Sequence, residues 1–214
     1  MRHLFGTAEF HKLMPHVTRI DQVSQLVQRM GVVRPKDLAR QGIAPVYLSR
    51  MCQRGLLTQV ARGLYTAAGH QPTAHHTMAV VSKRVPRGVI CLLTALRFHD
   101  IGTQNPADVW LAVDRKAQRP SVTGLPGRVV RFSGPALSEG VEEHVIEGVT
   151  VRMTNPAKTV ADCFKYRNKT GLDVALEALR EGWRSRKVKA DDLWRYAKVC
   201  RVSNVMRPYM ESLV

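Results

Sequence analysis

Ser49, Arg50, Gln53 and Arg54 fall on one side of a short segment whose Leu48, Met51 and Cys52 fall on the other, at about 100° per residue. Val46 joins the outer side and Tyr47 sits at the border. Arginine can donate two parallel bonds to guanine, glutamine pairs similarly with adenine, and serine adapts as donor or acceptor. That outer face carries no acidic residue, which favours the reading of base edges in a DNA groove over the alternative, an ordinary solvated helix face. Arg62, one residue before Gly63, belongs with this set as a phosphate or minor-groove contact. The DNA-binding residues expected from the pattern are therefore Tyr47, Ser49, Arg50, Gln53, Arg54 and Arg62. A second cluster, Arg184, Arg186, Lys187 and Lys189, packs four cations into six residues between two helices. It offers a further surface for phosphates, for RNA or for an acidic protein, or else an ordinary solvated loop.

Catalytic chemistry finds less support. Asp108 with Asp114-Arg115-Lys116 superficially matches the metal-binding set of restriction-type nucleases. The two carboxylates stand six residues apart on what reads as one strand, about 20 Å if extended, too far for one Mg²⁺ to bridge. There is no Gly-x-Ser-x-Gly, no phosphate-cradling Walker loop and no paired-Asp nucleotidyltransferase signature. His99, His144 and Asp162 are isolated in the sequence, and a buried, hydrogen-bonded role fits His99 better than a functional one. His75 and His76 are adjacent and no CxxC occurs, so no metal is expected, nor any cofactor. The four cysteines, Cys52, Cys91, Cys163 and Cys200, are dispersed among apolar segments, as reduced thiols of a cytoplasmic protein would be.

Composition points the same way as the outer face. The 214 residues carry a formal net charge of +16, with a pI near 10.4, which calls for a polyanionic partner: nucleic acid before an anionic membrane. Apolar residues at 44% and charged residues at 23% exclude wholesale disorder. No uninterrupted apolar stretch is long enough to span a bilayer. Glu9, His11 and Lys12 break the N-terminal apolar residues, so no signal peptide is read there. The excess charge lies at the two ends, with residues 73–150 close to neutral.

These side chains need elements to hold them. The first 17 residues lack periodicity and read as a flexible arm. Asp21 reads as the cap of a helix with Val23, Leu26, Val27 and Met30 on one stripe and Gly31 at its end. Pro35 to Gly42 and Pro45 to Gly55 bound two further short helices, and Leu56–Thr66 reads as a hairpin turning at Gly63. Residues 18–70 are thus expected to form a winged helix-turn-helix, with the hairpin as its wing. Residues 71–214 read as an α/β unit, so the whole is α+β. Its helices are expected over 73–84 and from about Ile90 to Asp100. Strands at 108–113 and 128–132 and a hairpin turning at Gly148 give a small, mostly antiparallel sheet. Helices follow from Asn155-Pro156, and Leu172, Ala175, Leu176, Leu179 and Trp183 form a stripe along one of them.

The stretch from Gly31 to Thr66, with Leu38-Ala39, Tyr47-Leu48-Ser49-Arg50, Gly55-Leu56-Leu57 and Arg62-Gly63-Leu64-Tyr65, resembles the N-terminal domain of AbiEi-family antitoxins. Thr94–Gly102, ending in His99-Asp100-Ile101-Gly102, and Thr154–Asp162 are similar to later segments of the same family. The resemblance implies a DNA-binding antitoxin that represses its own bacterial type IV toxin–antitoxin operon and counters a nucleotidyltransferase toxin. It implies operator DNA as partner, with the C-terminal part neutralising toxicity; the lack of a catalytic signature separately leads to the expectation that the chain is not an enzyme. The readings left beside it are a nuclease-like enzyme targeted by the winged helix and an RNA-binding protein.

Overall fold

In the computed structural model, which describes residues 18–213, helix α1 (Arg19–Met30) starts with a reciprocal cap. The Thr18 hydroxyl accepts from the Asp21 amide at 3.2 Å, and the Asp21 carboxylate accepts from the Thr18 amide at 2.9 Å. The sequence reading placed the cap at Asp21; Asp21 is instead the third helical residue, closing the box on Thr18. The arm expected at 1–17 lies outside the described residues. Helices α2 (Pro35–Ala39) and α3 (Val46–Gln53) follow, then strands β1 (Leu57–Ala61) and β2 (Leu64–Ala67). Val23, Leu26, Val27, Leu38, Ile43, Leu48, Met51 and Leu57 bury together and hold this unit. β1 and β2 pair antiparallel around Arg62-Gly63, with Gly63 at φ +71°, and Val33 adds a single bridge to Tyr65.

The remainder runs α4 (His76–Arg84), β3 (Val89–Ile90), α5 (Leu92–Phe98), β4 (Val109–Asp114), β5 (Gly127–Phe132), α6 (Pro135–Ser138), β6 (Val141–Ile146) and β7 (Val149–Thr154). Five helices close it: α7 (Pro156–Lys165), α8 (Arg167–Thr170), α9 (Leu172–Arg184), α10 (Ala190–Val199) and α11 (Ser203–Glu211). The sheet order is β5-β4-β3-β7-β6. The period-two alternation of β4 shows its layering: Trp110 and Ala112 face the C-terminal helices, while Val109, Leu111 and Val113 face α4. Val32 and Leu64 of the N-terminal unit are buried in that second core as well.

Two expectations are corrected. The helix expected from Ile90 begins at Leu92, because Val89 and Ile90 form the short central strand β3. The five-stranded sheet is mixed: β3–β4 and β6–β7 are antiparallel, whereas β3–β7 and β4–β5 are parallel. Parallel partners are joined by crossovers rather than tight turns, and no local sequence signal announces them. Helix α11 passes through Pro208 without interruption.

Candidate nucleic-acid interface

Helix α3 sorts its side chains as its periodicity requires. Leu48 and Met51 are buried and Tyr47 and Cys52 half-buried, while Val46, Ser49, Arg50, Gln53 and Arg54 are exposed. The Arg50 guanidinium lies 5.7 Å from the centre of the Tyr47 ring, which steadies a long side chain on an open face. No Asp or Glu occurs between Asp37 and Asp100, a span that includes α3 and the β1–β2 hairpin. The positive field there is therefore opposed by no nearby carboxylate in sequence. Arg62 is exposed at the hairpin tip, and its carbonyl accepts from Arg84 Nη2 of α4 at 2.5 Å. The tip is thereby braced by the C-terminal half.

The second basic cluster is less uniform than its sequence. All four cations are exposed, but Lys187 Nζ also donates to the carbonyls of His99 and Asp100 at 2.6 and 2.9 Å. Lys187 thus caps the C-terminal end of α5, where the helix dipole favours a cation.

Three further contacts fix the N-terminal unit to the rest. Asp37, 2% exposed at its side chain, accepts from Arg34 Nη2 at 3.1 Å and pairs with Lys83 Nζ of α4 at 3.1 Å. Burial opposes its ionisation, yet the bonds from Arg34 and Lys83 hold its carboxyl below the usual range. Gly31, at φ +63°, meets the Glu147-Gly148 turn so closely that a Cβ there would lie 1.6 Å from the Glu147 carbonyl oxygen. The third contact gathers His70, His76 and Glu147. His70 Nε2 and His76 Nδ1 both approach Glu147 Oε2, at 2.9 and 2.6 Å, and the Thr73 amide donates to Oε1 at 2.7 Å. Burial would raise the Glu147 carboxyl, but hydrogen bonds from His76, Thr73 and His70 hold it at about 2. No metal is expected from the sequence, and the 71 and 77 residues between these histidines and Glu147 hide the grouping there.

The carboxylates considered for nuclease chemistry do not converge. Asp108 precedes β4 and lies 3.5 Å from Arg128, while Asp114 ends the strand and accepts from the Lys116 amide at 2.6 Å. Asp162 is not isolated, as the sequence suggested: Lys158 Nζ donates to both its oxygens at 2.6 and 2.7 Å, and Cys200 Sγ lies 3.2 Å away. Lys158, 0% exposed, is the buried lysine of α7, whereas Lys165 is exposed. The i, i+4 spacing of that pair was the signal available in the sequence. Burial opposes its charge, but Asp162 holds the Lys158 ammonium protonated. His99 Nε2 bonds the Thr154 carbonyl at 2.8 Å, and His144 packs beside both it and Phe98, with ring centres 6.2 and 4.8 Å away. Cys91, Cys163 and Cys200 are buried free thiols whose pKa values burial pushes up, so they are inert.

This geometry, a three-helix unit with a polar helix face and a braced hairpin, can be compared with known proteins. Residues 21–68 match the family model described as transcriptional regulator, AbiEi antitoxin. The match runs from α1 through the end of β2, the segment that carries the exposed face of α3. Among solved structures, the chain is similar to the RV2827C protein from Mycobacterium tuberculosis, with a TM-score of 0.60 and 13% identity. That likeness covers 91% of this chain and 78% of the other, and it is one of fold. The comparison with curated proteins gives no match. No helix among the described residues is long and apolar enough to cross a membrane.

Proposed function

We propose that the chain is a cytoplasmic winged-helix regulator that binds operator DNA, with α3 in the major groove and the β1–β2 hairpin as its wing. Residues 18–70 form the DNA-binding unit and residues 71–214 the antitoxin-like unit. The protein represses its own type IV toxin–antitoxin operon and counters a nucleotidyltransferase toxin, acting by binding rather than by catalysis. The observation that carries this reading is the exposed, acid-free face of α3, with Ser49, Arg50, Gln53 and Arg54, inside the segment that matches the AbiEi regulator family.

The test measures binding of the full chain to its own promoter fragment, to random duplex and to structured RNA at fixed salt. Arg50→Ala and Gln53→Ala should each lower operator-over-random discrimination by about 1–3 kcal/mol. Unchanged discrimination in both variants would remove α3 from the major groove. Preference for the RNA would replace the operator reading altogether.

A further inference from the structure

We propose that His70, His76 and Glu147 form a three-ligand site for a divalent first-row transition ion, with zinc as the best chemical match. Among the described residues they are the only group of three or more His, Cys, Asp or Glu whose ligand atoms all lie within 4.8 Å of one another. Two imidazole nitrogens and one carboxylate oxygen are a donor set that zinc takes in three-ligand sites, leaving a fourth position for water.

The geometry is close to what such an ion needs. Tetrahedral zinc with bonds of about 2.0–2.1 Å sets its ligand atoms about 3.3 Å apart. His70 Nε2 and His76 Nδ1 stand 2.9 and 2.6 Å from the same oxygen, Glu147 Oε2, so they must retreat by about 0.4 and about 0.7 Å. The other oxygen, Oε1, is held by the Thr73 amide at 2.7 Å. That bond fixes the carboxylate as an outer partner fixes a metal ligand. The two histidine side chains retain 26% and 20% exposure while Glu147 retains 4%, so the site opens to water on the imidazole side. Entry and a solvent ligand are both available.

The three residues come from separate elements: His70 follows β2, His76 opens α4, and Glu147 forms the β6–β7 turn that lies on Gly31. An ion here ties the exit of the N-terminal unit to the sheet and to α4. Its role is to hold the two halves together, and its existence does not depend on the DNA reading.

The experiment uses untagged full-length protein stripped with a chelator and titrated with Co²⁺, followed by its visible absorption bands and displaced by Zn²⁺. One ion per chain is expected, and Zn²⁺ should raise the melting temperature of the parent protein. His70→Ala and Glu147→Gln, with parental circular dichroism, should weaken the ion at least about tenfold and lose the Zn²⁺-dependent rise. Should either variant fail to fold, His76→Ala and His70→Gln serve the same comparison. No saturable Co²⁺ spectrum in the parent, or parental affinity in the folded variants, would overturn the site.

Discussion

Replacing Asp37 with Asn tests whether the N-terminal unit is bound to the rest by a buried charge. Asn keeps the shape of the side chain but leaves Lys83, 9% exposed, without its anion at 3.1 Å, and puts an amide donor against Arg34. At an effective dielectric of about 20, unit charges about 3 Å apart attract by about 5 kcal/mol. The ammonium recovers part of this by drawing in water, and Arg34, about a quarter exposed, can swing away. Removing one partner of a buried pair costs about 3–5 kcal/mol, and the lower end fits this partly open site. A loss of about 3 kcal/mol corresponds to about 6–12 °C in melting temperature for a chain of this size. Urea unfolding followed by circular dichroism and by tryptophan fluorescence measures it. Trp110, Trp183 and Trp194 all lie in the C-terminal half, so a split between the two signals shows the halves uncoupling. Asp37→Asn combined with Lys83→Met should recover more than half of the loss, because no unpaired ammonium remains. A single-variant cost below about 1 kcal/mol, the range of surface pairs, would refute the reasoning.

Because the folded carboxyl of Asp37 titrates below its unfolded value, the stability it adds is present above about pH 4 and is lost as pH falls through the folded pKa. The stability gap between the parent and Asp37→Asn should therefore close in acid, and urea midpoints at pH 3 and pH 6 check it. Gly31→Ala should cost more than about 2 kcal/mol, since its Cβ meets the Glu147 carbonyl at 1.6 Å. Gly42→Ala, also at positive φ but facing nothing within 4 Å, should cost only the backbone strain of about 1–2 kcal/mol, by thermal unfolding. Arg62→Ala should weaken operator and random DNA alike and lower the log–log salt slope by about one. Neutralising Arg184, Arg186 and Lys189 tests the second surface: a lower slope joins it to the DNA path, and an unchanged slope with lost protection against the toxin separates it.

What was legible in the sequence was local. The split of α3 into a buried Leu48/Met51 side and an exposed Arg50/Gln53 side follows from helical period alone, and the hairpin follows from Gly63 between two β-prone runs. The stripe from Leu172 to Trp183 likewise marks α9. The two-residue strand β3 was not legible, because Val89-Ile90 is too short to show a period and runs straight into an apolar helix. The parallel pairing of β4 with β5 has no turn to signal it. The cap at Thr18 was missed by three positions, because an Asp can close a box as well as open a helix. His70, His76 and Glu147 meet through the packing of α4 and of the N-terminal unit on the β6–β7 turn, over a separation of 71 residues for the nearer histidine. Local patterns carry no information at that distance.

The joint between the halves leaves the exposed face of α3 free. The contacts described above use sides of the N-terminal unit other than the exposed face of α3: Asp37 on α2, Gly31 after α1, His70 beyond β2, and the Arg62 carbonyl at the hairpin tip. Val46, Ser49, Arg50, Gln53 and Arg54 stay open with the C-terminal half in place. The C-terminal half therefore does not cover this face. Stability is shared across the joint, since Val32 and Leu64 complete the core over β7 and α4. Deleting residues 1–70 uncovers that core and strands Lys83. Point substitutions on α3 touch neither, so they are the cleaner way to separate recognition from folding.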